Sequence, residues 1–100
     1  MVLGCVEMSQ SVYKSVTDGK RTWSIVIKRG KYHFRGELQR CSCPWLGCKK
    51  IQFCYEEVAR LFSRYQFLKY DRQHTAYWSD DCSCYHLRTS RGDDIKWVRR

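Results

Sequence analysis

Apolar and polar positions alternate with a period of two through much of the first forty residues, then change to a spacing of three and four. Val12-Tyr13-Lys14-Ser15-Val16 reads as a strand, and Thr22–Lys28 resumes with Trp23, Ile25 and Ile27 on one face. Asp18-Gly19 between them is a strong hairpin turn. Arg29-Gly30 supplies a second turn before Lys31–Arg35, where Tyr32 and Phe34 point one way and Lys31, His33 and Arg35 the other. The pattern predicts an antiparallel meander with a basic outer face and with Trp23, Tyr32 and Phe34 on the core side.

Ile51, Cys54, Tyr55, Val58, Leu61, Phe62, Tyr65 and Leu68 then recur at helical spacing, which predicts one amphipathic helix over about Lys50–Tyr70, laid across the meander. Glu56 and Glu57 stand near its start and Lys69 near its end, as the helix dipole favours. Thr75–Trp78, Cys82–Arg88 and Ile95–Val98 are short strand candidates. The fold class expected is α+β: a β-meander, one helix and a C-terminal β-hairpin in a single domain spanning residues 1–100, with 1–10 as a tail.

A chain of 100 residues with 43% hydrophobic positions can bury only a modest core, and small cores of this kind usually need a metal or disulfides. Seven cysteines therefore change the picture. Glu7 interrupts the N-terminal apolar stretch that a secretory signal would need, and charged residues interrupt every window long enough to span a bilayer. Val2 also stands where N-myristoylation requires glycine. The expectation is an intracellular protein without a membrane partner, in which thiols persist as ligands and zinc is favoured over cystine. Two disulfides in an exported, toxin-like ligand is the competing reading.

Cys41 and Cys43 are two apart, as are Cys82, Cys84 and His86, so extended backbone would project each set from one side. Thiolates with a neutral imidazole meet the needs of tetrahedral zinc. Cys41 and Cys43 with Cys84 and His86 make a complete set. Cys48, across the loop holding Pro44 and Gly47, is an equally good third ligand with any one of Cys82, Cys84 or His86. One ion or two, and which four donors, stay open at this level. Cys54 falls on the apolar stripe of the helix and reads as a buried small hydrophobe, while Cys5 reads as a free thiol; His33 and His74, without neighbouring cysteines, are not expected as ligands.

Charge points to the partner. Lys and Arg total 19 against 10 Asp and Glu, a net charge of +9. Nine of these cations lie in residues 20–50 against Glu37 alone. Such a stretch attracts polyanions with strong salt dependence and little sequence preference, and Lys28, Arg29, Lys31, Arg35, Lys49 and Lys50 are the expected phosphate contacts. No Gly-rich phosphate loop, nucleophile elbow or H-E-x-x-H motif is present, so no enzymatic activity is expected.

The basic composition, the Cys41-x-Cys43…Cys48 cluster and the Cys82-x-Cys84-x-His86 cluster after one helix together resemble the small cysteine-rich proteins of positive-strand RNA plant viruses, most of all the first-reading-frame proteins of grass-infecting sobemoviruses. The resemblance implies a suppressor of host RNA silencing that binds RNA without sequence preference, supports systemic spread and works in the host cytoplasm and nucleus. A different expectation is a protein-interaction adaptor presenting Trp45, Trp78 or the helix face to a host silencing protein.

Overall fold

In a computed structural model, residues 10–41 and 50–90 are described. Strands β1 (Gln10–Thr17), β2 (Thr22–Lys28) and β3 (Lys31–Arg35) form an antiparallel sheet in that order. Both expected turns are present. Asp18 folds the first: its Oδ1 accepts from the backbone N–H groups of Lys20 (2.9 Å) and Arg21 (2.7 Å). In the second, Arg29 (φ 54°) and Gly30 (φ 75°) both adopt positive φ, the backbone of a two-residue hairpin loop that matches strand twist.

The register opposes Ile25 to Phe34 and Ile27 to Tyr32. By strand alternation the other face carries Lys28 opposite Lys31, Val26 opposite His33 and Ser24 opposite Arg35. A register shift between Val12 and Lys14 bends β1 and sets Lys14 opposite Ile25.

Two short strands follow, β4 (Gln39–Arg40) and β5 (Ile51–Gln52), which pair antiparallel. The helix α1 spans Glu56–Tyr70, one and a half turns shorter at its start than its spacing predicts. Ile51 and Gln52 pair with Arg40 and Gln39 instead, a partnership that helical spacing cannot register. Tyr55 is the extended N-cap residue, and Glu56 and Glu57 occupy the first turn. Asp71, in left-handed conformation, closes the helix as Arg72 N–H reaches back to Gln66 O.

Strands β6 (His74–Ser79) and β7 (Cys84–Thr89) form the C-terminal hairpin. β7 begins two residues later than predicted because Asp80–Ser83 make the turn, with Ser83 at φ 53°. The helix is covered by the meander and by the C-terminal hairpin. Val58, Leu61 and Tyr65 join Trp23, Ile25 and Phe53 in the core, and the Phe62 ring meets Phe34 at 5.1 Å. Ala59, Ser63 and Phe67 are buried as well, and Ser63 Oγ donates to His74 O at the start of the hairpin. Trp23, Tyr32 and Phe34 are therefore core side chains, as their alternation predicts. No helix among the described residues is long and apolar enough to cross a membrane.

Candidate metal centre

Three donors converge where β4, the β6–β7 turn and β7 meet. Cys41 directly follows β4, Cys82 lies in the turn, and His86 sits within β7. Their ligand atoms lie within 4.8 Å of one another, and this group can hold a metal ion. Cys41 and His86 are buried, His86 with only 1% of its surface exposed.

Backbone pairing builds the site. Cys41 N–H donates to Lys50 O at 2.7 Å, which closes the two ends of the intervening segment onto each other. From β5 the chain runs to Phe53, whose N–H and carbonyl exchange 2.9 Å hydrogen bonds with Tyr85 of β7. β4 is thereby fixed relative to the strand that carries His86.

One further hydrogen bond sets the imidazole. His86 Nδ1 lies 2.8 Å from Ile51 O, and a carbonyl only accepts, so Nδ1 carries the proton and Nε2 keeps its lone pair. A carbonyl on the outer nitrogen is the usual orienting partner of a metal-binding histidine. Nε2 faces Cys84 Sγ at 3.6 Å. That spacing matches the edge of roughly 3.5 Å between a nitrogen and a sulfur on one tetrahedral zinc. A sulfur–sulfur edge on the same ion would be roughly 3.8 Å, so no edge of the Cys41–Cys82–His86 group, all within 4.8 Å, needs to contract by more than about 1.3 Å. Two thiols and an oriented imidazole fit zinc in donor chemistry as well.

Cys84 and His86 project from one side of β7 and are both buried, as two-residue spacing predicts. Cys82 reaches the group by a different route from the one expected, because it belongs to the turn rather than to the strand. Cys43, Cys48 and Lys49, together with Cys5, Trp45, the Pro44–Gly47 loop, the predicted strand Ile95–Val98 and most of the N-terminal tail, lie outside the described residues. Cys54 is exposed just ahead of the helix, not buried in its stripe, because the helix starts after it. Sequence patterning also has no access to the Ile51 carbonyl, a backbone group that fixes the tautomer.

The predicted phosphate contacts divide into two places. Lys28 and Lys31 face each other across the β2–β3 ladder and flank exposed Arg29, with Arg35 on the same face about 13 Å farther along β3. Lys50 stands apart, next to the metal-binding group, with its ammonium 3.2 Å from Tyr77 Oη and over that ring. No family model matches the chain, and no curated protein or solved structure is significantly similar to it.

Proposed function

We propose that this protein is a zinc-stabilised RNA-binding module that holds the phosphate backbone on its basic sheet face and suppresses RNA silencing by occupying RNA in the host cell. The observation that carries the reading is the pairing of Lys28 with Lys31 around Arg29. Like charges opposite each other destabilise a ladder, and these three cations have no ion-pair partner among the described residues. A polyanion laid across them relieves that repulsion and releases counterions.

Zinc takes Cys41, Cys82 and His86 as ligands in this reading. Cys84 stands outside that group but 3.6 Å from His86 Nε2, and is the fourth ligand proposed. The ion joins the end of β4 to the hairpin and so supplies stability that a small core lacks.

The test is RNA binding by fluorescence anisotropy at several salt concentrations, for the wild type and for the triple variant Lys28→Gln, Arg29→Gln, Lys31→Gln. The variant should bind more weakly and lose about 2–3 from the slope of log K against log salt. An unchanged slope sinks the RNA assignment. A silencing reporter in plant tissue then checks the biological step, in which the same variant should lose suppression.

A second reading, the interaction adaptor, draws on Trp78, which is 50% exposed and packs edge-on against Tyr85 at 5.0 Å. Exposed tryptophans of this kind anchor protein interfaces. Association with a host protein that survives nuclease and disappears in Trp78→Ala would favour it.

A further inference from the structure

Between α1, β5 and the β6–β7 hairpin lies a groove of about 300 Å³, the low end of the range for small-ligand sites. It is separate from the Lys28–Arg29–Lys31 cluster, which lies at the β2–β3 turn. Arg40, Lys50 and Arg72 contribute three cationic residues to its lining, and no acidic residue is among the described ones there. Ile51, Phe62 and Leu87 supply an apolar wall.

His74 completes the lining. Its Nδ1 is shielded from solvent and has no hydrogen-bond partner among the described residues. Burial, reinforced by the neighbouring Arg72 charge, pushes the His74 pKa down, so the ring is neutral at pH 7. A shielded nitrogen without a partner costs free energy that a hydrogen-bonding ligand recovers.

These features select among ligands. The cations call for an anion. The apolar wall, with an aromatic ring in it, calls for a flat, weakly polar body attached to that anion. A fatty acid would satisfy both but would leave His74 Nδ1 unpaired, whereas a heterocyclic base offers both a face and hydrogen-bonding edges. We propose that this groove binds a nucleotide, with its phosphate on Arg40 and Arg72 and its base between the apolar wall and His74. The ligand is either a free nucleotide or one unit of a bound RNA, since both present the same phosphate and base.

The metal-binding group borders the same groove. Arg40 precedes Cys41, Lys50 O accepts from Cys41 N–H, and Ile51 O accepts from His86. One wall of the groove is thus built from residues that the metal ligands hold in place.

Isothermal titration of the full chain with AMP, adenosine, inorganic phosphate and an eight-residue oligoribonucleotide tests the proposal. AMP should bind roughly tenfold or more tightly than either adenosine or phosphate, because each supplies only half of the contacts. Arg72→Gln should weaken AMP by roughly tenfold, the loss of one charge-assisted hydrogen bond. Arg72 follows the helix cap and is exposed, so this variant keeps the fold. Gln66→Trp, which fills the groove while keeping its charges, should abolish AMP binding. If both variants also weaken the oligonucleotide, the groove takes a unit of RNA; if they weaken AMP alone, it takes the free nucleotide. Phosphate binding as tightly as AMP, or AMP affinity unchanged in both variants, overturns the proposal. The triple variant at Lys28, Arg29 and Lys31 should leave AMP affinity intact, so failure of the RNA reading and failure of the groove are read from different proteins.

Discussion

Gly36 ends β3 and starts the path toward β4 and Cys41, so replacing it tests how the meander is joined to the metal-binding group. Its φ is 124°, a region that side chains other than glycine rarely adopt. A Cβ built there would lie 2.6 Å from Trp23 Cδ1, 2.9 Å from Thr22 O and 3.0 Å from Trp23 Cα. None of these neighbours yields easily. Two are backbone atoms of β2, and the indole is buried, with its Nε1 donating to Glu37 O at 2.8 Å. Backbone strain contributes about 1–3 kcal/mol and the forced overlap another 1–3 or so, giving Gly36→Ala a cost of about 2–5 kcal/mol. Gly30→Ala is the control: Gly30 also has positive φ, 75°, but nothing lies within 4 Å of its added Cβ. Strain alone sets that cost at about 1–2 kcal/mol. Urea and thermal unfolding, each followed by far-ultraviolet circular dichroism, measure both costs and the accompanying midpoint shifts. Gly36→Ala should lower the thermal midpoint by roughly 8 °C or more and exceed Gly30→Ala clearly. Equal losses in the two variants would refute the close-contact argument, and a loss below about 0.5 kcal/mol in Gly36→Ala would refute the strain argument too.

Other outcomes follow from the same geometry. Native mass spectrometry should find zinc on the purified protein. A chelator should lower the unfolding midpoint, and Cys82→Ser should reduce metal retention even though Cys82 lies outside β7; full retention in that variant would remove Cys82 from the ligand set. Asp18 has its pKa lowered to about 2, first by the hydrogen bond from the Arg21 backbone N–H and next by that from Lys20. Its contribution to stability is present above pH 3.8, its ordinary value, and lost as pH falls through about 2. Urea midpoints against pH should show this acid loss in the wild type and not in Asp18→Asn. His74, with its pKa lowered mainly by burial, disfavours the folded state once protonated, so stability should fall as pH drops below 6.5. Replacement by Gln should remove that component, and an NMR titration of the His74 ring should place its midpoint below the ordinary value.

The elements legible in the sequence were those whose determinants are local. Asp18-Gly19 and Arg29-Gly30 carry turn chemistry in adjacent residues, and the alternation of Trp23, Ile25, Tyr32 and Phe34 assigns the buried sheet face. The helix start was not legible, because Ile51, Cys54 and Tyr55 continue the spacing of the helix without belonging to it. The segment is drawn out of the helix by distant partners: Ile51 pairs with Arg40, 11 residues away, and Phe53 bridges to Tyr85. The second buried helix face was hidden for a related reason. Ala59 and Ser63 are weakly apolar or polar, and tertiary packing makes them interior: Ala59 joins the core cluster and Ser63 meets the hairpin at His74 O. Next to the Cys41–Cys82–His86 group, two-residue spacing places Cys84 beside His86, although Cys84 is not one of the three converging donors. It could not register the positive φ of Ser83, which takes Cys82 out of the strand and still delivers it to Cys41.

The arrangement explains why a metal would matter more here than in a protein with one continuous sheet. The described strands form three separate sheets, and the middle one is a pair of two-residue strands. A pair that short has too few hydrogen bonds to persist alone. Among the described residues, it is attached through the Phe53–Tyr85 bridge, the His86 hydrogen bond to Ile51 O and the Cys41–Cys82–His86 group. The hairpin in turn packs against the helix, where Ser63 Oγ donates to His74 O. An ion at the group would fix the end of β4 to β7 and to the β6–β7 turn, and so to the hairpin that packs against the helix. It would also hold Arg40 and Ile51 in the groove wall. If the proposed groove binds its nucleotide and the group holds an ion, stability and ligand binding share the same few residues, and removing the ion should weaken both together.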